Sequence, residues 1–482
     1  MHLVRDQRPD SDFGQSDRLN VVDSPALPAD PTALAALNDG VRGVDLAAPA
    51  VALPDFHFKG DKEMPSSIAV ATRETIRPIF SSTSLNCGMA LVALDAERPE
   101  AAQVAEFFRR VRDRYPFPPT YRRDLSREEV IRCAAEGSAF AAERFGVDRT
   151  DVDAVELGGR IDIEGMGGID RVRRELPWSV QQLSRIRFGT IGPSNHFVEL
   201  QEVAEVLDPR AAELLGLSLG QITLQYHGGG GSLPGELGLL FGRRKRKPAR
   251  QVRMQMALQR PLYHFGSARS AGDLRRRRDL YFSADAPPVE RHTPEGERLA
   301  LANAMAMNYG FAFRLSSYAS LRSLLGTCFG SGSRLVVDTV HNSIYDERVN
   351  DEQAVVHRHN ACRIFPAATM RHHPVFGQIG QPLLVPGTNR TSSYLCIPGE
   401  HADQAMYTAC HGAGTVVGDF ARSGASSLDP HGRTTRRFDC RSGDAETVPQ
   451  LDDHGVDTVV GVLREHGIAR PVVRLRPFAV QN

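Results

Sequence analysis

Five side chains in this sequence have the chemistry to build a reactive centre: Cys87 in "NCGM", His196 in "SNHFVE", His227 at the head of "HGGGG", His341 in "VHNS" and His411 in "CHGAG". One soft thiolate and three imidazoles (Cys87, His196, His227, His341) suit zinc, manganese, iron or cobalt better than magnesium or calcium, which favour oxygen donors. They lack the close pairwise spacing of a zinc finger, so a site requires distant strand ends to converge. Each residue also has a plainer reading when taken singly: a core cysteine, or a histidine satisfied at a turn. The glycines at 228–231 leave backbone amides free to approach an anion.

His411 stands outside that ligand set. Gly412, Ala413 and Gly414 clear space around its ring. A neutral imidazole beside a metal-bound polyphosphate can attack the α-phosphorus and form a phosphoramidate. A metal there would neutralise charge developing on the phosphate oxygens.

The elements that must position these residues follow from local pattern. Residues 50–92 read as short strands and tight turns. Residues 101–114 and 127–145 carry helix-spaced apolar positions, with Ser126 or Asp124 as the cap of the second stretch. Residues 185–240 return to strand-and-glycine character, and residues 250–259 read as a strand. Thr293 and Pro294 have the residue types of an N-cap and a first helical position, before a long apolar helix. Beyond Gly332 strands alternate with turns, ending in a helix over 456–466 and a strand over 472–480. Reactive positions from 87 to 411 can meet only in one interwoven fold. The expectation is therefore an α+β class with mixed and antiparallel sheets. Residues 1–45 form a loose lead-in and residues 46–482 a single large domain, with helical insertions at about 98–150 and 290–325.

Lys+Arg and Asp+Glu both total 58 in the 482 residues, so no global field draws in polyanions. The basic runs at 243–247 and 275–278 read as solvated faces or as phosphate-contacting patches. Seven scattered cysteines and a polar start point to a reducing cytoplasm. No apolar run reaches the length of a membrane span. Asp55 and His57 read as a core polar pair or as support for the site, Cys410 as a small buried neighbour of His411, and Trp178 as packing for the helical insert ahead of its alternative, stacking on a nucleotide.

The order of motifs resembles the RtcB family, the tRNA-splicing RNA ligases. The likeness runs over about residues 53–477 through "LPDFH", "NCGM", "GTIGPSNHFVE", the glycine turn after His227, "VHNS", "HRHNACRIFP", "GQPLLVPGTNRTSSY" and "CHGAG". It implies a ligase that uses GTP and manganese to join RNA 3′-phosphate or 2′,3′-cyclic phosphate ends to 5′-hydroxyl ends. By the same resemblance, Cys87, His227 and His341 hold one Mn2+, and Cys87 bridges to a second held also by His196. His411 becomes guanylylated; Asn195, Glu199, Asn342 and Ser393 contact the nucleotide together with Gly412, Ala413 and Gly414, and Phe197 packs against the base. RNA is the implied partner, with an archease-like accessory protein assisting turnover.

The sequence also departs from the family's pattern. Ser84 stands where an aspartate is expected, so the second metal loses a carboxylate; one tight and one weak site follow. Thr415 replaces an arginine, His359 a lysine, and the turn after His227 is all glycine. The aromatic residue and lysine that grip guanine fall on Asp452 and Gln481. These changes keep two alternatives open: a metal-dependent nucleotidyltransferase or phosphoesterase acting on a non-RNA acceptor, and a non-catalytic metal- or RNA-binding relative.

Overall fold

The computed structural model describes residues 18–58, 64–114, 123–191, 196–242, 250–283 and 287–482. Its largest sheet has nine strands. Seven run in the order Leu383–Val385, Ser393–Pro398, Ala469–Gln481, Phe197–Val206, Ile222–Gly228, Gly88–Leu94 and Ser333–Val340. Neighbours along that path are antiparallel. Thr434–Phe438 adds to Ala469–Gln481 in parallel and pairs in turn with Ala445–Pro449. A second sheet of five strands runs Leu19–Val21, Ala50–His57, Ser66–Thr72, Glu352–His359, Asn342–Val349. The large sheet takes strands from Gly88–Leu94 through to Ala469–Gln481, and the five-stranded sheet joins Leu19–Val21 to Glu352–His359, so the fold is α+β and interwoven as expected. Gly88–Leu94 and Ser66–Thr72 are short apolar runs buried throughout, the pattern of strands covered on both faces.

The helix Pro294–Phe329 spans 36 residues. The Thr293 hydroxyl caps it by accepting from the Gly296 amide at 3.1 Å, with Pro294 in the first turn. It is apolar nearly all round its middle and is buried accordingly. Around it pack the helices Ala101–Arg114, Arg127–Glu136, Ser138–Phe145 and Ser232–Phe241. At Gly310 a side chain is excluded, because a Cβ there would lie 2.5 Å from the Asn86 Cβ. That close approach seats the turn carrying Cys87 directly on the helix.

Several expectations change. The stretch 127–145 is two helices, broken at Gly137 with φ +60°, where a Cβ would meet the Gly159 carbonyl oxygen at 2.2 Å. Ser126, not Asp124, caps the first of them, in a capping box with Glu129. Residues 250–259 are not a strand but belong to the helix Arg250–Gly266. Its Met, Gln, Ala and Arg content favours helix over the apparent alternation. Trp178 packs little: it opens the helix Trp178–Leu183 and is 65% exposed. In the lead-in, Leu19–Val21 pairs in parallel with Ala50–His57, and Pro31–Val41 is a helix with Ala33, Leu37 and Val41 buried. That part is structured, not loose; residues 1–17 lie outside the described residues. Among the described residues no helix is long and apolar enough to cross a membrane.

Candidate active site

Four neighbouring strands of the large sheet deliver the four metal-ligand candidates to one end. Cys87 immediately precedes Gly88–Leu94, His196 precedes Phe197–Val206, His227 lies at the end of Ile222–Gly228 and His341 follows Ser333–Val340. The register makes the meeting obligatory: Gly88 opposes both Gly228 and Val340, and His227 opposes both Met89 and Phe197. Gly88 must lack a side chain, since a Cβ would sit 2.3 Å from the Thr339 carbonyl oxygen.

Cys87 Sγ lies 3.3 Å from His227 Nε2 and 3.8 Å from His196 Nε2, and His227 Nε2 lies 3.1 Å from His341 Nε2. The ligand atoms of Cys87, His227 and His341 all fall within 4.8 Å of one another. Two imidazole nitrogens and a sulfur converging this closely, all buried, fit a borderline-soft transition metal. Burial pushes the Cys87 thiol up to about 12, with Arg314 opposing. Burial, then His411 and His227, hold His341 well below the usual imidazole range; burial lowers His196 as well. Neutral imidazoles are ready to ligate, and a cation placed here would favour the Cys87 thiolate over the thiol.

His411 is brought to the same place by different strands. It follows Thr408–Cys410, whose Cys410 pairs with Ala361; the His411 amide donates to the Asn360 carbonyl at 3.2 Å, and the Ala361 amide to the His341 carbonyl at 2.9 Å. The rings of His411 and His341 stack, with centroids 3.9 Å apart, and the His227 centroid is 5.6 Å from that of His411. His411 Nδ1 is buried and has no hydrogen-bond partner among the described residues. Burial, with help from His57, lowers this imidazole to about 4, so at neutral pH its lone pair is free. Cys410 is wholly buried beside it.

The loop after His411 is tied down by Asp55, which sits in left-handed backbone at φ 63° and accepts from the Val416 amide at 2.9 Å. Burial raises its carboxyl to about 7 against the pull of the Val416 and Thr415 amides. The Thr415 hydroxyl lies 3.3 Å from His57 Nδ1. Asp55 and His57 therefore anchor the N-terminal turn of the helix Gly414–Ser423 rather than forming an isolated core pair. The Ala413 amide donates to the Pro386 carbonyl at 2.9 Å, which joins the Gly412–Ala413 segment to the next feature.

That feature is a cavity of about 230 Å³ lined by Phe197, Glu199, Pro386, Gly387, Thr388, Asn389, Ser393, Val480 and Asn482. Three nucleotide candidates therefore share one pocket: Phe197, Glu199 and Ser393. Glu199 accepts from Gln201 Nε2 at 2.7 Å, and burial raises its carboxyl to about 8. Ser393 Oγ accepts from the Gly387 amide at 3.3 Å. Asn342 is buried elsewhere in the site, with Oδ1 accepting from the Asn360 amide at 3.0 Å. Asn195 lies outside the described residues. Neither Asp452 nor Gln481 lines the pocket: Asp452 accepts from the Ser427 amide at 2.8 Å, and Gln481 donates to the Phe108 carbonyl at 3.3 Å. Strand alternation explains the second case, because residues 480 and 482 face one side and 481 the other. Ser84 is exposed, and its carbonyl accepts from the Cys87 amide at 3.2 Å in the turn.

A buried support completes the site, one that motif spacing does not reveal. Arg314 and Asp338 form a fully buried ion pair at 2.6 Å, and Arg314 donates to both the carbonyl and the side-chain oxygen of Asn86, next to Cys87. The signal for it in the sequence is an arginine within the apolar run "GFAFRLSS"; such a charge demands a buried partner.

Comparison with known proteins places the sequence in one family. The sequence model of one family, described as tRNA-splicing ligase RtcB, matches residues 41–482. The chain is 30% identical over 430 residues to the tRNA-splicing ligase RtcB of Methanopyrus kandleri, covering 82% of this chain and 41% of that protein. It is 27% identical over 369 residues to that of Pyrococcus abyssi, covering 72% and 36% respectively. Against the RNA-splicing ligase RtcB of Mycobacterium tuberculosis it is 29% identical over 362 residues, with 71% and 74% covered. The match thus spans less than half the length of the two archaeal relatives.

Proposed function

The chain belongs to the RtcB family, and on that premise we propose that it is an RNA ligase joining 3′-phosphate or 2′,3′-cyclic phosphate ends to 5′-hydroxyl ends through a nucleotidyl-His411 intermediate. The observation that carries this reading is the stacked contact between His411 and His341. It sets a free imidazole against the ligand cluster Cys87–His227–His341.

In this mechanism the neutral His411 ring attacks the α-phosphorus of GTP. A P–N bond forms and pyrophosphate departs. The nucleotidyl group then passes to an oxygen of the RNA 3′-phosphate, and the histidine nitrogen recovers its lone pair. The 5′-hydroxyl attacks that activated phosphate, loses its proton and expels the nucleoside monophosphate. A cyclic phosphate is first opened by water. Cys87, His227 and His341 would hold one Mn2+, and Cys87 with His196 a second; with Ser84 in place of a carboxylate the second is the weaker. A bound Mn2+ offsets charge on the phosphate oxygens. Phe197, Glu199 and Ser393 hold the base and ribose side of the nucleotide in their shared pocket, with Asn195 and Asn342 as further contacts. The segment Gly412–Ala413–Gly414 gives the phosphates room. A neutral Glu199 beside Phe197 is the chief discriminator of the base. The seven cysteines are all free thiols, which suits a reducing cytoplasm, and an archease-like protein is the proposed accessory.

The test is incubation with labelled GTP and Mn2+, then with a 3′-phosphate, 5′-hydroxyl RNA. A labelled protein that loses its label as RNA ends join supports the reading. Self-labelling without any joining would move it to a nucleotidyltransferase with another acceptor.

A further inference from the structure

The glycine turn after His227 and residues 412–415 offer a polyanion space but no basic side chain. The turn at 229–231 is all glycine and the position after "HGAG" is Thr415. The basic charge is concentrated elsewhere. Between residues 250 and 278 there are eight arginines and one acid, in a chain with zero net charge. These residues build two consecutive helices, Arg250–Gly266 and Ala271–Tyr281.

The inner side of this hairpin is firmly fixed. Arg277 pairs with Glu295 at 2.6 Å, His264 stacks on Tyr281 with centroids 3.9 Å apart, and Phe265 on Phe282 at 4.8 Å. Arg260 donates to the Leu239 and Leu240 carbonyls. The outer side is different. Arg250, Arg253, Arg269, Arg275 and Arg276 are exposed and form no ion pair among the described residues. On the helix that carries Arg250 and Arg253, Met254, Leu258 and Leu262, at successive helical turns, are 58%, 67% and 75% exposed. Exposed guanidiniums together with open apolar side chains suit a single strand. It shows both phosphates and unstacked bases, whereas a duplex shows chiefly its backbone.

The hairpin is also joined to the site. His227 leads through the glycine turn straight into the helix Ser232–Phe241, against which Arg250–Gly266 packs. That connecting helix has 10 residues, so it is about 15 Å long.

We infer that the outer face of the hairpin Arg250–Gly266/Ala271–Tyr281 is a docking surface for single-stranded RNA, holding the acceptor strand by its phosphates. The inference rests on the ligase reading in that RNA is taken as the polyanion, but it concerns a surface separate from the reactive centre. Arg250, Arg253, Arg275 and Arg276 contact phosphates, and Met254, Leu258 and Leu262 form the platform for bases.

The test compares the full chain with Arg250→Gln/Arg253→Gln/Arg275→Gln/Arg276→Gln. Binding of a fluorescent single-stranded RNA of about 20 nucleotides is followed by anisotropy at several salt concentrations, with GTP labelling of His411 measured in parallel. The pair Arg275→Gln/Arg276→Gln is a milder second variant should the fourfold change disturb folding. The expected result is an affinity loss of about tenfold or more for the fourfold variant. The slope of log affinity against log salt should also become shallower by about 0.7 for each phosphate that is no longer neutralised. Labelling of His411 should stay at the level of the unmodified chain. Unchanged RNA affinity and slope in both variants would overturn the inference, even if labelling and joining proceed. So would arginine-dependent pelleting with phosphatidylserine vesicles but no arginine-dependent RNA binding, which would assign the face to an anionic membrane surface. Loss of labelling in the unmodified chain, with arginine-dependent RNA binding intact, would instead count against the nucleotidyl-transfer reading and leave the docking surface standing.

Discussion

The imidazoles of His341 and His411 lie face to face, with centroids 3.9 Å apart and planes within 13° of parallel. His341 offers its Nε2 to the convergent ligand set, and Nδ1 of each ring is buried with no hydrogen-bond partner among the described residues. In the proposed mechanism this pair would couple the metal ligands to the nucleophile.

This coupling makes His341→Ala a double loss. Removing a direct ligand should lower Mn2+ affinity by more than the roughly 10–100-fold typical of losing an outer hydrogen-bond partner. It should also abolish nucleotide labelling at Mn2+ concentrations that saturate the unmodified chain. Metal titration with labelling in the same samples checks both. A chelator should remove labelling from the unmodified chain, and added Mn2+ should restore it.

The Arg314–Asp338 pair beneath Cys87 should behave as a structural support. Both side chains have zero exposure, so breaking the pair leaves an uncompensated buried charge. Arg314→Met is expected to destabilise the chain by about 3–5 kcal/mol, measured by denaturant unfolding. Because Arg314 also holds Asn86, any folded fraction should bind Mn2+ less tightly.

Glu199 should make stability depend on pH in an unusual direction. Burial raises its carboxyl from the ordinary 4.5 to about 8, so the folded chain keeps a proton that the unfolded chain releases between those values. Its contribution is fully present below about pH 4.5 and is lost as pH rises through about 8. Glu199→Gln, which cannot ionise, should therefore gain on the unmodified chain by roughly 2 °C or more in Tm between pH 5 and pH 8.5. Melting curves of the two proteins across that interval provide the check.

Much of this site is legible in residue type and order. Cys87, His196, His227 and His341 stand at strand ends, and strand ends converge when their strands are neighbours in one sheet. What local pattern does not contain is that neighbourhood: the pairing of Met89 with His227 is set across more than a hundred residues, and that of Phe197 with His227 by the fold of the intervening chain. The helix Arg250–Gly266 resembles a strand in sequence only because short alternation in a charged stretch is weak evidence against strong helix formers. A lone aromatic residue such as Trp178 is expected to be covered, whereas here it opens a short surface helix. Gln481 falls near the base pocket by position in the chain; one residue of strand register sends its side chain to the other face. Arg314 is visible in its apolar helix, but its partner Asp338 is identifiable only once the helix lies on the sheet.

The most direct test is to locate the covalent adduct. After reaction with GTP and Mn2+, the protein is digested under alkaline conditions that preserve phosphoramidates, and its peptides are mapped by mass spectrometry. The account predicts one nucleoside monophosphate on the peptide containing His411, absent in His411→Ala, while that variant retains its Mn2+. An adduct on another residue would contradict it, as would a metal-loaded protein that takes no label from any of the four nucleotides.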